Sequence, residues 1–162
     1  MVVHSKQIDL TQLDLGYLGL FLGQRVNELV VDRLRREGFR NVRESHGYVV
    51  QHLIERERSI TELAQRMRVT QQAASKTISE MVRLGILDAK PAADRRAKTI
   101  CISKRGWASV RLSRRVRTQI DRRLVKAVGD EEYRRTNACL TRCLEILRGV
   151  QSIESRRVRE PQ

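Results

Sequence analysis

Apolar residues recur at helical spacing along most of the chain and change to alternation only once, near residue 90. Leu15, Leu18, Leu22, Val26, Leu29 and Val30 form one broad stripe of a helix over residues 11–37. Thr11 and Asp14 have capping-box spacing, with Asp in place of the usual Glu or Gln, and Gly38 supplies the stop. Leu20 and Phe21 widen the stripe beyond what one domain face needs, so this helix is expected to be buried on several sides. A shorter helix over 44–55 turns Val49, Val50, Leu53 and Ile54 inward. Two more follow at 59–67 and 70–84. Ser59 and Glu62 make a second capping-box spacing, with Thr61 as a competing cap; Thr70 caps the next helix and Gly85 ends it.

The alternation at 86–91 and 97–102 predicts two paired strands. Ile100 and Ile102 share one face and Cys101 takes the other. Ser103 then caps a long helix over 104–127, with Val116, Ile120, Leu124 and Val128 at four-residue steps. Gly129 breaks it. Asp130 is placed as the cap of a last helix bearing Leu140, Cys143, Leu144 and Leu147 on one stripe. With prolines only at 91 and 161, almost everything before the strand pair is free to be helical. The tail SRRVREPQ reads as polar and frayed.

Helices at 59–67 and 70–84, a tight turn of Met67, Arg68 and Val69 between them, then a hairpin: this order predicts a mainly α, winged helix-turn-helix fold with a two-stranded β wing. Leu63, Ala64 and Met67 face inward from the first helix of the pair, and Ala74, Ile78, Met81 and Val82 from the second. Thr70, Gln71, Gln72, Ser75, Lys76 and Ser79 are left at its outer, N-terminal part. A recognition helix aims such side chains into the major groove. Gln suits adenine edges, Ser a base or a phosphate, Lys guanine or a phosphate. Any amphipathic helix has a polar outer face, so the hairpin has to decide. Pro91, Ala92 and Ala93 are read as its turn, with Asp94, Arg95, Arg96 and Lys98 crowding the tip. Arginine inserted in a narrow minor groove is a recurring device, and Asp94 would orient one guanidinium.

Charge agrees. Lys and Arg number 33 against 19 Asp and Glu, a net charge of +14 in 162 residues, which favours a polyanion such as nucleic acid or an anionic membrane surface. No apolar run approaches the roughly 20 residues of a membrane span. The first residues mix charge into apolar positions too early for a signal peptide, so a cytoplasmic location is expected. The length fits a single domain over 1–162, and three cysteines argue against a disulfide framework.

Residues 43–107 closely resemble the MarR family of bacterial transcription regulators. The resemblance rests on ITELAQRM, on the stretch ending MVRLGIL, and on the wing DRRAKTICISKRG. Asp94 and Arg96 stand at the family's Asp-x-Arg positions; Ser103 replaces the usual Thr and keeps the capping hydroxyl. The flanking helices match by order, length and apolar faces only. The resemblance implies a homodimer whose helices at 9–40 and 107–150 interlock around a DNA-binding part at 43–106. It implies binding of double-stranded DNA at a pseudo-palindromic operator, usually repression, and often release by a small phenolic or lipophilic ligand. The crevice for that ligand is expected near Tyr48, His52, Trp107 and Arg111. For His46 and His52 a packed or surface histidine remains the alternative, and for Trp107 a hinge-packing residue.

Some members of the family sense oxidants with a cysteine near the N-terminus, and this chain has none there. Cys139 and Cys143 lie four residues apart near Arg135 and Arg142, which suits either thiolate chemistry or a buried small hydrophobe. No histidine stands at ligand spacing to them, so no metal and no cofactor is expected. Nor does a Ser/His/Asp set, a phosphate loop or a carboxylate pair suggest an enzyme. Two rivals stay open: a regulator switched by cysteine oxidation through Cys101, Cys139 or Cys143, and a nucleoid-associated protein coating DNA with low specificity.

Overall fold

A computed structural model describes residues 8–91 and 98–149. After a 3-10 turn at Leu10–Gln12 come α1 (Leu15–Arg36), α2 (Glu44–Gln51), β1 (Arg58–Ser59), α3 (Ile60–Met67), α4 (Gln71–Arg83), β2 (Leu87–Pro91), β3 (Lys98–Ile102), α5 (Lys104–Val128) and α6 (Asp130–Ile146). The strands form one antiparallel sheet in the order β1-β3-β2, with Leu87 opposite Ile102 and Arg58 opposite Ile100. The mainly helical winged helix-turn-helix is therefore present, and a two-residue β1 extends the expected pair of strands to three.

Several local expectations need correction. Thr11 does not start the first helix: Asp9 caps the 3-10 turn, and Asp14 caps α1 by accepting from the Tyr17 amide at 2.9 Å. A short acid just ahead of the helical stripe makes the better cap. The second helix ends at Gln51, where His52 and Leu53 pass into i→i+3 bonds to Val49 and Val50. Asp130 is the first residue of α6 and caps nothing; Gly129, at φ 91°, occupies the cap position, and Asp130 pairs with Arg134 at 2.6 Å. Pro91 ends β2 opposite Lys98 instead of opening the turn, as an edge strand permits. The remainder of the wing tip, Ala92, Ala93, Asp94, Arg95 and Arg96, lies outside the described residues, as does the SRRVREPQ tail.

One core runs through the molecule. It joins Val30 and Leu34 of α1, Val49 and Val50 of α2, Leu63 and Met67 of α3, Ala74, Ile78 and Met81 of α4, and Leu87, Ile100 and Ile102 of the sheet to Val110 and Val116 of α5. The first half of α1 does not share it: Leu15, Tyr17, Leu18, Leu20, Phe21 and Leu22 are all exposed within the chain. Leu144, Ile146 and Leu147 at the far end of α6 are exposed as well. Within one chain, then, α1 is not buried on several sides. Its core-facing stripe begins only near Val26.

The end of α4 is held by a close approach. Gly85 adopts φ 67° and turns the chain into β2. The Ser103 amide then donates to the Ile86 carbonyl at 3.1 Å, and the Ser103 hydroxyl donates to the Gly85 carbonyl at 2.6 Å. The same hydroxyl accepts from the Gly106 amide at 2.8 Å and so caps α5. A Cβ at position 106 would stand 2.1 Å from the Ile86 carbonyl oxygen. Gly106→Ala should therefore destabilise the fold by about 3 kcal/mol, and Ser103→Ala by about 1 kcal/mol through the lost cap. Chemical denaturation of the two variants checks both; a neutral Gly106→Ala would show that this contact is not tight.

Candidate nucleic-acid interface and the adjoining cavity

Arg68, in the left-handed region at φ 55°, ends α3 and sets the turn into α4. The Thr70 hydroxyl accepts from the Ala73 amide at 3.1 Å, so α4 starts where expected. Ala74, Ile78 and Met81 are buried against α3 and the sheet. Gln71, Gln72, Lys76 and Ser79 are consequently turned to solvent, with Ser75 half-buried at the margin. Among the described residues the side chains of Gln71, Gln72, Ser75 and Lys76 form no hydrogen bond or ion pair. Lys98, exposed, opens the returning strand of the wing. Of the expected wing contacts, only Lys98 lies in the described part.

A cavity of about 230 Å³ lies between α1, α2 and the first half of α5. Val30, Val31, Leu34, Val42, Val50 and Val110 give it an apolar floor. Asn27, His46, Tyr48, Ser113, Arg114 and Arg117 supply polar groups around it. Tyr48 is where it was expected. His52, Trp107 and Arg111 do not line this cavity. The wall from α5 is the stripe 109, 110, 113, 114 and 117, which helical geometry sets on one side. Arg111 points away from it, and half-buried Trp107 packs on the core closer to the sheet. His52 follows the last turn of α2 and is buried elsewhere. Arg114 and Arg117 were legible in principle, since they repeat with Val110 at helical steps. Without knowing which side of α5 meets α1, no pattern selects them.

The cavity wall is tied to the recognition helix. Arg43 reaches across to form an ion pair with Glu80 of α4. His46 is buried beneath them. Its Nδ1 accepts from the Arg43 amide at 3.3 Å, and its Nε2 lies 3.7 Å from Glu80 Oε1. The same Nε2 accepts from Arg43 Nε at 3.4 Å, so Arg43 contacts both ring nitrogens. Burial, reinforced by the Arg43 charge, holds His46 below its ordinary pKa of 6.5, while Glu80 pulls the other way. On the opposite side of the motif, buried Arg58 donates from Nε to the His52 carbonyl at 2.6 Å and pairs with Glu62 at 2.5 Å. Desolvation pushes Glu62 up, but the bonds and charges of Arg58 and Arg56 prevail and its pKa is lowered.

The MarR family model matches residues 42–97. This segment, about a third of the chain, is similar in sequence to that family and carries α2 to β2 of the winged helix. The fold of the longer chain agrees. MepR, a transcription regulator of the Staphylococcus aureus multidrug efflux pump MepA, is 17% identical and superposes with a TM-score of 0.67, covering 83% of this chain and 99% of its own. The S. aureus MepR–DNA complex gives 19% identity and a TM-score of 0.65, over 82% of this chain and 98% of that one. YusO from Bacillus subtilis gives 17% and 0.67, over 85% and 99%. At these identities the likeness is one of fold alone. The sequence matches no curated protein. Among the described residues no helix is long and apolar enough to cross a membrane.

The α2–α4 junction should respond to pH through His46. Its folded pKa is lowered, so the unfolded chain binds the proton more readily. The stability it contributes is complete above about 6.5 and is lost as pH falls through the folded value. Denaturation midpoints at about pH 8 and about pH 5 should differ more for the native chain than for His46→Gln. Equal differences in the two proteins would remove His46 from this role.

Proposed function

We propose that this chain is a sequence-specific, DNA-binding transcriptional regulator acting as a homodimeric repressor in the cytoplasm. The observation that carries the reading is the free polar face of α4. Its core side is fixed by Ala74, Ile78 and Met81, and among the described residues Gln71, Gln72, Ser75 and Lys76 form no side-chain hydrogen bond or ion pair. On a recognition helix these side chains read base edges, with Thr70 at the phosphate backbone. Asp94, Arg95, Arg96 and Lys98 of the wing take the neighbouring minor groove, and the net charge of +14 draws the protein to DNA.

Residues 43–106 form the DNA-binding part, and 9–40 with 107–150 form the dimer. The support for a second copy is the apolar surface left open by one chain: Phe21 is 52% exposed, Ile146 74% and Leu147 78%. Exposed apolar area on this scale marks an interface. The cavity beside α2 suits a small lipophilic or phenolic ligand, its ring against Val30 and Val110 and its polar end toward Tyr48, Arg114 or Arg117. Such a ligand would sit against Arg43 and His46, which hold Glu80, and so loosen the recognition helix.

Light scattering should give twice the chain mass of 18.8 kDa; a stable folded monomer at 18.8 kDa would overturn the dimer and the palindromic operator with it. A footprint upstream of the chain's own gene supplies the operator. On that duplex Gln72→Ala should cost about 1–3 kcal/mol, and little on a scrambled duplex at the same salt. Arg111→Ala or Arg115→Ala, both exposed on α5, should change the two affinities equally or change neither. If Gln71→Ala and Gln72→Ala weaken both duplexes in parallel, a nucleoid-type, low-specificity coat replaces the regulator reading.

A further inference from the structure

DNA reading and dimer formation leave two thiols unused. Cys139 and Cys143 are four residues apart on α6, so they project from one face, one above the other. Cys139 is exposed and Cys143 half-buried. Both line a shallow cleft of about 280 Å³ shared with Arg135, Ala138, Arg142 and Ile146. The third thiol, Cys101, is buried in β3 and directs its S–H at the Asp88 carbonyl.

The pair is poorly matched to a disulfide. Side chains at this spacing on an intact helix have Cβ atoms about 5–6 Å apart, whereas a disulfide needs about 3.5–4.5 Å. Peroxide attack requires a thiolate, and burial together with the Cys139 thiol holds Cys143 above the ordinary thiol range, against a smaller opposing effect of Arg142. A tetrahedral metal is not served either. Among the described residues no group of three or more histidine, cysteine or acidic side chains could hold one. Two soft sulfurs do complete the coordination of a centre that arrives with its own third substituent and favours thiol ligands.

We propose that Cys139 and Cys143 form a bidentate site for a monosubstituted trivalent arsenical. Each S–H gives its proton to the arsenic-bound oxygen, two As–S bonds replace the arsenic–oxygen bonding, and one water leaves per arsine oxide. Arsenic stays trivalent, so no oxidant or reductant enters. The organic substituent rests on Ala138 and Ile146. A sulfur–arsenic–sulfur bridge is wider than a direct sulfur–sulfur bond, so the helix need not unwind. The site does not depend on DNA reading, but it lies on the helix assigned to the dimer and requires that the α6 face bearing Cys139 and Ile146 stay open there.

The probe is phenylarsine oxide added to the full-length, reduced, native protein, followed by intact-mass measurement. The native chain should gain the mass of one phenylarsine oxide less one water. The adduct should survive a monothiol such as mercaptoethanol and be removed by dithiothreitol, because only a second chelating dithiol competes with two sulfurs. Cys139→Ser and Cys143→Ser should each lose the monothiol-resistant adduct, and Cys101→Ser should keep it. Circular dichroism of each variant checks that the helices remain. No adduct on the native protein, an adduct washed off by mercaptoethanol, or one that persists unchanged in Cys139→Ser would each overturn the site.

Discussion

The Ile86 carbonyl must lie against the first turn of α5, and a side chain at position 106 would forbid it. That single approach fixes three things at once. It sets the end of α4, because Gly85 turns immediately before it. It sets the root of the wing, because the Ser103 amide donates to the same carbonyl. It sets the direction in which α5 leaves, because the Ser103 hydroxyl caps that helix. Recognition helix, wing and long helix thus share one junction with little freedom to move independently. A rigid junction is what a protein needs if two surface elements are to meet two grooves of one duplex.

Much of this was legible in the residues. Thr70, Ser103, Gly85 and Gly129 punctuate helices through local chemistry, so one stretch of sequence was enough to place them. The inward positions of α3 and α4 follow from the 3.6-residue repeat alone, and the buried residues agree. The residues that were not legible depend on contacts distant in sequence. Strand β1 is only two residues long and exists because β3 offers it an edge, Arg58 opposite Ile100. His46 is an ordinary helical histidine until Glu80 comes over it. The cavity wall moved from Trp107 and Arg111 to Ser113, Arg114 and Arg117 because the packing of α1, not the stripe on α5, selects which side faces inward.

The arginines divide by what surrounds them. Arg58 is buried and fully committed, bonded to the His52 carbonyl and Glu62, so it joins the end of α2 to the start of α3. Arg105 stacks on Phe39 at 4.8 Å and donates to the Gly38 carbonyl, which anchors the bend after α1. Removing either would leave a polar group unsatisfied or a ring uncovered. The exposed Arg111, Arg115, Arg122 and Arg123 have no comparable structural task, and their contribution is a diffuse positive field. A high net charge therefore does not by itself measure DNA specificity, since the field attracts any duplex alike.

Arg43 belongs to neither group, and its position makes cavity and recognition helix parts of one mechanical unit. It is half in solvent, it lines the cavity, and it reaches Glu80 on the buried margin of α4. A surface ion pair of this kind is weak by itself. Its leverage comes from His46, whose buried ring is held between the Arg43 backbone and the same carboxylate. Anything that competes for Arg43 leaves Glu80 facing a neutral imidazole, and a proton on His46 adds a buried charge in its place. Both events act on Glu80, which stands one turn beyond Lys76 and two turns beyond Gln72 on the same side of α4. The residue that feels the cavity thus shares a stripe with two exposed polar side chains of α4, so occupancy can shift that face without touching it.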